Sequence, residues 1–496
     1  MSKYKDVVDL ALRRSLFFPS CEVYADHPAG FFDFGPFGLA IKRKIVDAWR
    51  RWFVRKERFL EIDGSVVMPA DVFKASGHLT GFYDPITVCK KCGAVFRADK
   101  LLSEKAGKEF KEAQAPEVLT AAIKKFKVVC PKCKGSLSDV EKSSLMVKAF
   151  IGAGSKKEVY LRPETCQSIF LDFARLFKTM RVKLPQGVAQ FGLAFRNEIS
   201  PRQTLLRSIE FSQLECEVFF NPDKIDEIGG WDAVKDYKVV VQRVNDSSPS
   251  LVLVKDLVDK KIVSGKLIAY YLARVQQFFE SIGLPVESMR FRELGDDERA
   301  FYAKEAFDFE VLTSVGWLEL GANNYRTDHD LKNHMKLSKQ DFSVVDEQSG
   351  KKFVPHVWEI SLGANRIFYA VLEHAFKKEK DRVFLSLVPS LAPLDAGVFP
   401  LLKNKPELVK LAKEVYSDLI KYFDVFYDES GSVGKRYARL DEVGVPFCIT
   451  VDFDSLKNKD VTVRERDSTK QKRVKIKDLC CTLGRLIHCA SLEKDF

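Results

Sequence analysis

Long apolar runs are missing from this 496-residue chain. None approaches the roughly 20 residues that cross a bilayer as a helix, so no membrane-spanning segment is expected. The opening residues, Met1-Ser2-Lys3-Tyr4-Lys5-Asp6, carry an acid and lack the apolar core of a secretion signal, and a soluble, cytoplasmic protein is the expectation. No short internal repeat is apparent, which sets aside solenoids and propellers. A disulfide framework is missing as well. The eleven cysteines are an odd number in a long chain, and Cys21, Cys166, Cys216, Cys448, Cys480, Cys481 and Cys489 are scattered. That usage fits a reducing compartment.

What is present begins with bulk: 46% hydrophobic residues are enough for substantial cores in two or three domains. The net charge of +11 favours an anionic partner such as RNA. The remaining four cysteines have metal spacing. Cys89-Lys90-Lys91-Cys92 and Cys130-Pro131-Lys132-Cys133 are separated by 37 residues. Two such thiolate pairs close a tetrahedral site, and four thiolates leave no open position, so a structural Zn2+ is expected in an insertion over 89–133.

Residues 36–57 place Ile41, Ile45, Trp49 and Trp52-Phe53 on one stripe of a long amphipathic helix. A strand from Phe59 to Met68, stopped by Pro69, is expected next. Strand-like and helical patterns alternate over 160–220. Residues 223–290 read as a second, helical or mixed insertion of no assigned chemistry, with a helix from Leu267 to Ile282. Strands follow at 306–320 and 353–362, then a helix from Ile367 to about Lys378. Beyond a boundary near 382 come a strand (Val383 to Leu387), a helix (Leu408 to Phe423), a strand (Val425 to Tyr427), a Gly/Ser loop at 430–434, and strands at Phe447 to Val451 and Val461 to Arg466. The expected fold is α+β for 1–382, on an antiparallel sheet, with a compact α/β domain over 383–496.

Two arginines stand out. Arg196 ends the apolar run Val188 to Phe195, and Arg366 precedes the helical pattern from Ile367. An arginine keeps its charge and offers a planar fork suited to phosphate. Alone, either reads first as a solvated ion pair. Their surroundings say more. Glu22-Val23-Tyr24, Gly30-Phe31-Phe32-Asp33-Phe34-Gly35-Pro36, Leu161-Arg162-Pro163-Glu164-Thr165, the run Phe191 to Arg202 containing Phe195-Arg196-Asn197-Glu198, Arg326-Thr327-Asp328 with Asp330-Leu331, and Glu359 to Arg366 occur in order. Gly434-Lys435-Arg436-Tyr437, Asp441 to Pro446 and Val463 to Ser468 follow. Over nearly its whole length the chain resembles the dimeric archaeal and eukaryotic glycyl-tRNA synthetases, of class II.

The resemblance implies a class II antiparallel-sheet catalytic core, a C-terminal anticodon-binding domain, and ATP-dependent ligation of glycine to tRNA through glycyl-adenylate. It implies that Arg196 grips the α-phosphate, Glu198 contacts the adenine side, Phe211 stacks on the base and Arg366 covers its other face. Mg2+ would bridge the phosphates, with Glu359 beside it or near the amino acid. Glu164, Glu215 and Glu359 would receive the glycine ammonium, and Ser361 would stand where a side chain would project. Taken without the resemblance, each glutamate reads as a solvated surface group and Phe211 as a core aromatic. The helix from residue 36 implies a homodimer. Lys435, Arg436, Arg439, Arg464 and Arg466 would contact the anticodon stem and loop.

The chain also departs from the family pattern. Cys166-Gln167-Ser168 stands for Ala-Gln-Gly, Ile209 for an arginine and Asn365 for a glycine, and Ala322 lies in a segment, Gly321 to Arg326, that differs from the usual Gly-containing pattern. Asn at 365 would be tolerated if that backbone has φ > 0. Divergence within an active enzyme is the reading taken. Its competitors are a synthetase-like tRNA-binding protein with weak or lost catalysis, a synthetase of altered amino-acid specificity, and a zinc-containing RNA-binding module without ATP chemistry.

Overall fold

The computed structural model describes residues 3–110, 114–154, 156–199, 201, 204–300, 302–379 and 381–488. Ser200, Arg202 and Cys489 of the sequence reading lie outside them. The long N-terminal helix is present as α1 (Pro36–Trp49), continued by a wider π-helical stretch over Arg50–Arg55. Proline suits the first helical position, where its missing N–H would be unpaired anyway. Ile41, Ile45, Trp49 and Phe53 are buried, as the stripe requires.

The strand expected from Phe59 to Met68 is two pieces. β1 (Leu60–Glu61) joins the main sheet, whereas Val67–Pro69 pairs with Lys157–Leu161 in another. The chain leaves the first sheet at Gly64, where a Cβ would lie 2.1 Å from the Ser168 Oγ. Apolar content could not reveal that break.

The main sheet is completed by β2 (Gln186–Phe195), β3 (Glu210–Phe220), β4 (Lys238–Gln242), β5 (Ser250–Leu253), β6 (Met289–Glu293), β7 (Glu305–Thr313), β8 (Gly316–Thr327) and β9 (His356–Gly363). Their order is β5-β4-β6-β7-β8-β9-β3-β2-β1. Six of the neighbouring pairs are antiparallel; β4 with β6 and β2 with β1 are parallel. The helices of this body include α2 (Cys166–Met180), α3 (Lys266–Ser281), α4 (His329–Ser338) and α5 (Ala364–Ala375).

Side chains alternate between the faces of a strand. Leu214, Cys216 and Val218 of β3 therefore enter the core with residues of α1, α3 and α5. Phe211, Gln213, Glu215 and Glu217 take the opposite face, and the site is built there. Residues 223–290 are no detachable insertion. They supply β4, β5 and the start of β6, and α3 within them is buried along most of its length against the same core.

The boundary near 382 needs a correction. Val383–Leu385 pairs with Phe376–Lys378, and Leu385, Leu387 and Leu391 pack in the main core. The second body's own sheet starts at β10 (Ala396–Pro400), wholly buried and not foreseen. With β11 (Val425–Tyr427), β12 (Phe447–Val451), β13 (Asp460–Glu465) and β14 (Gln471–Lys475) it runs β11-β10-β12-β13-β14. α6 (Pro406–Leu419), α7 (Val433–Val443) and α8 (Leu479–His488) complete it. Its core gathers Val398, Leu408, Val415, Ile449, Val463 and Leu483. Among the described residues no helix is long and apolar enough to cross a membrane.

Candidate active site

A cleft of about 170 Å³ opens on the polar face of the main sheet, lined by Arg196, Glu198, Phe211 and Arg366 among others. Arg196 follows β2. Its backbone N–H donates to Ile209 O at 2.9 Å and its Nε to Pro163 O at 3.2 Å. The guanidinium lies 5.4 Å from the ring centres of both Phe82 and Phe211, a placement in which an aromatic face steadies a cation. Glu198 accepts from Arg207 Nε at 2.6 Å. Arg366 sits in the first turn of α5 and donates from Nε to Leu206 O at 3.1 Å and from Nη1 to Glu319 O at 3.0 Å. Its side chain is 36% exposed and pairs with the Glu319 carboxylate at 3.2 Å. The two arginines picked out from the sequence thus reach one cleft.

The inner end, behind Gln213 and Ser361 of the cleft wall, is a buried acidic cluster. Arg162 anchors the loop that carries Glu164, donating to Leu193 O and Gly64 O at 2.8 Å each. Glu164 accepts from Gln167 Nε2 at 2.8 Å and Cys166 Sγ at 3.0 Å, with His78 Nε2 at 3.4 Å. Burial opposes its ionisation, yet His78 and then Arg326 hold its carboxyl well below the usual range. Glu215 is fully buried and accepts from Thr165 Oγ1 at 2.9 Å. Burial, with the Glu359 and Glu164 carboxylates near, pushes it up to about 8.

Glu359 receives Arg326 Nη1 at 2.7 Å and Asn324 Nδ2. Burial pushes its carboxyl up and Arg326 restrains the rise. Both of its oxygens are thereby taken within the acidic cluster. Ser361 is the register partner of Glu215 on β3 and Ala322 on β8, and receives Gln213 Nε2 at 3.4 Å.

The departures find physical explanations. Asn365 is not in the positive-φ region; it lies in the first turn of α5. The condition of a left-handed backbone does not arise, because a helical residue needs no such freedom. Ser168 is buried against Gly64, and Cys166 is spent on Glu164. Ile209 presents no charge, but Arg207, two residues earlier, brings a guanidinium to Glu198. The sequence reading passed over Arg207, Glu319 and Glu217 and quoted Arg326 in a motif without giving it a role; alternation along β3 was the available signal for Glu217.

Elsewhere, Cys89, Cys92, Cys130 and Cys133 converge, their sulfurs within 4.8 Å of one another. The Cys89–Cys133 and Cys92–Cys130 sulfurs are 3.4 and 3.7 Å apart, close to the ~3.8 Å between thiolates 2.3 Å from a tetrahedral zinc. Each turn closes on a residue of positive φ, Gly93 or Lys134. A Cβ on Gly135 would come within 3.1 Å of the Cys89 sulfur, so the cradle fits a small ion and nothing larger.

In the C-terminal body the structure overturns three of five expected RNA contacts. Arg436, Arg464 and Arg466 are buried. Arg436 donates to Pro400 O, Arg464 clasps Asp441 with two bonds of 2.9 Å, and Arg466 reaches Gly444 O and Leu387 O at 2.7 and 2.8 Å. Positive charge in sequence did not distinguish these internal anchors from surface groups. Lys435 is exposed and Arg439 half-buried. On the neighbouring edge strand β14, Lys472, Arg473 and Lys475 are exposed.

Comparison with known proteins agrees with this layout. A family model described as the tRNA synthetase class II core domain (G, H, P, S and T) matches residues 150–375, and an anticodon binding domain model matches 395–485. The glycine–tRNA ligase of Methanocaldococcus jannaschii is 37% identical over 96% of this chain and 97% of its own. That of Pyrococcus furiosus is 37% identical over 98% and 99%, and that of Methanothrix thermoacetophila 36% over 96% and 95%. The chain belongs to the glycine–tRNA ligase family of class II synthetases.

Proposed function

We propose that the chain ligates glycine to tRNA in two steps. The glycine carboxylate attacks the α-phosphate of ATP, forming glycyl-adenylate and expelling pyrophosphate; the glycyl group then passes to the terminal ribose of the tRNA. Neither step needs a protein nucleophile, so positioning and charge neutralisation are the protein's task. The observation that carries the reading is a cationic, aromatic cleft backed by a buried acidic cluster.

In this reading Arg196 holds the α-phosphate, Phe211 and Arg366 enclose the adenine, and Glu198, steadied by Arg207, faces its edge. Magnesium arrives with the ATP phosphates. Glu319, which pairs with Arg366, and Asp308, pushed up to about 7 by burial and then by Glu319, are the acids on that side suited to it. Glu164, Glu215 and Glu359 receive the ammonium. Ser361 and Ala322 crowd the space a larger side chain would need, and overpacking costs about 1–3 kcal/mol.

Lys435, Arg439 and the exposed cations of β14 face the tRNA. A structural zinc at the four cysteines braces the insertion. A second copy covers the groove beside α1, where Leu39, 37% exposed, lies with Phe34 and Phe191, giving a homodimer. The catalytic body runs to about residue 392 and the anticodon-binding body follows from about 395, in the cytoplasm. Amino-acid-dependent ATP–pyrophosphate exchange tests the reading with glycine, alanine and serine. Exchange with glycine alone, lost in Arg196→Ala, is expected; exchange with another amino acid would replace the substrate, and none from folded, zinc-loaded protein would leave an RNA-binding relative.

A further inference from the structure

Glu217 is the carboxyl of the inner end that the ligation chemistry leaves without a task. It lies on β3 two residues beyond Glu215, on the same face, and opposite Glu359 in the register of β3 and β9. Its side chain is wholly buried, and neither oxygen has a hydrogen-bond partner among the described residues; one oxygen of Glu215 is likewise unpartnered. A carboxyl oxygen of each of Glu215, Glu217 and Glu359, with the Cys166 sulfur, lies within 4.8 Å of the others.

The charged and titratable groups acting on Glu217 are Glu359 on β9, Arg326 on β8, Glu215 on its own strand and Asp330 on α4, with Cys166 on α2 alongside. Arg326 is the only cation of this set, and it already serves Asp330 twice and Glu359 once. Three buried carboxylates this close disfavour one another's ionisation, and a buried unpaired charge costs several kcal/mol. Glu217, with neither oxygen bonded among the described residues, is the natural seat for a proton.

We propose that Glu217 is a positioning residue for glycine, carrying a proton that lets Glu215 and Glu359 stand together in the empty pocket and releasing it to solvent when the substrate ammonium enters. One positive charge leaves and one arrives, so the charge of the buried cluster is unchanged. Burial and then Glu359 push the Glu217 carboxyl well above the usual range, and the Cys166 thiol is pushed up by burial and Glu164, so it stays neutral. The inference deepens the glycine-ligating reading and rests on it.

Calorimetric titration of glycine into the full-length protein, in buffers of different ionisation heat, counts the protons released. Exchange assays between about pH 6 and pH 8 give KM for glycine on the same samples. Proton release by the wild-type protein is expected, with KM falling as pH rises, by up to about tenfold per unit. Glu217→Gln should still exchange, with release reduced to what Glu215 contributes and KM less steep with pH, and Glu217→Asp should restore both. Unchanged release in Glu217→Gln would overturn the proposal. So would a wild-type protein that binds glycine without release, a result that decides the matter even if the variant does not fold. Affinity that instead falls as potassium is added, without release, would put an inorganic cation in the proton's place and also overturn it. Exchange with a pH-independent KM sinks this inference alone; no glycine binding and no exchange at any pH sinks the glycine reading with it.

Discussion

Arg326, at the end of β8, and Asp330, four residues later in the first turn of α4, are joined by two bonds of 2.7 and 2.8 Å, both side chains 2% exposed. The same guanidinium holds Glu359. A buried pair adds little stability relative to an apolar substitute, but removing one partner strands the other. Arg326→Met should therefore lower stability by about 3–5 kcal/mol, read from urea unfolding, and raise KM for glycine through the released Glu359. An unfolding curve superimposable on wild type would refute this role.

Arg196→Ala should remove glycine-dependent pyrophosphate exchange by about 10²–10³-fold, the scale on which one aimed donor acts on developing charge. Its few internal bonds predict little change in unfolding midpoint. A loss of activity matched by loss of fold would point to a structural arginine instead.

Glu215→Gln keeps the acceptor for Thr165 but cannot ionise. The wild-type carboxyl is raised from 4.5 to about 8 in the folded chain, so the folded state binds more protons between those values. Its contribution to stability is fullest below about 4.5 and is lost as pH rises toward 8, by at most about 1.4 kcal/mol per unit. The variant should match wild type near pH 4.5, melt higher near pH 8, and fail to activate glycine. Equal melting temperatures at both pH values would show that Glu215 does not titrate this way.

Glu164 runs the other way. Its carboxyl is held low in the folded chain, so its stabilisation is present at neutral pH and is lost as acidification passes below the ordinary 4.5 toward the folded value. Glu164→Gln should cost stability at pH 7 and progressively less in acid. Thermal unfolding at a series of pH values measures the difference, and a constant gap would contradict the assignment.

One zinc per chain is expected by elemental analysis, and Cys130→Ser should abolish it. Chelation should expose the segment around 89–133 to proteolysis while β2 and β3 stay protected, since structural zinc supplies local folding energy. In the C-terminal body, Lys435→Ala should weaken tRNA binding and reduce its salt dependence by about one counterion without altering the melt. Arg464→Ala should instead destabilise by about 3–5 kcal/mol, because it leaves the buried Asp441 with only the 3.5 Å contact of Arg382. The reverse pattern would return Arg464 to the RNA-facing set.

Local chemistry determined much of this protein from sequence alone. The stripe Ile41, Ile45, Trp49 specifies α1 because helical period fixes which residues share a face. The paired cysteines specify their cradle because sulfur spacing and tetrahedral geometry are local. The ordered motifs around Arg196, Glu164 and Arg366 carried the fold and the candidate cleft. Tertiary structure decided what depends on partners distant in the chain. Val383–Leu385 joined the first body because Phe376–Lys378 was there to pair with it, and residues 223–290 became one end of the main sheet because β6 found β7. Arg436, Arg464 and Arg466 turned inward because Asp441 and backbone carbonyls met their charge. Glu217 was left unpaired because only the register of β3 against β9 sets its carboxyl opposite Glu359, and no pattern within a single strand records who stands across from it.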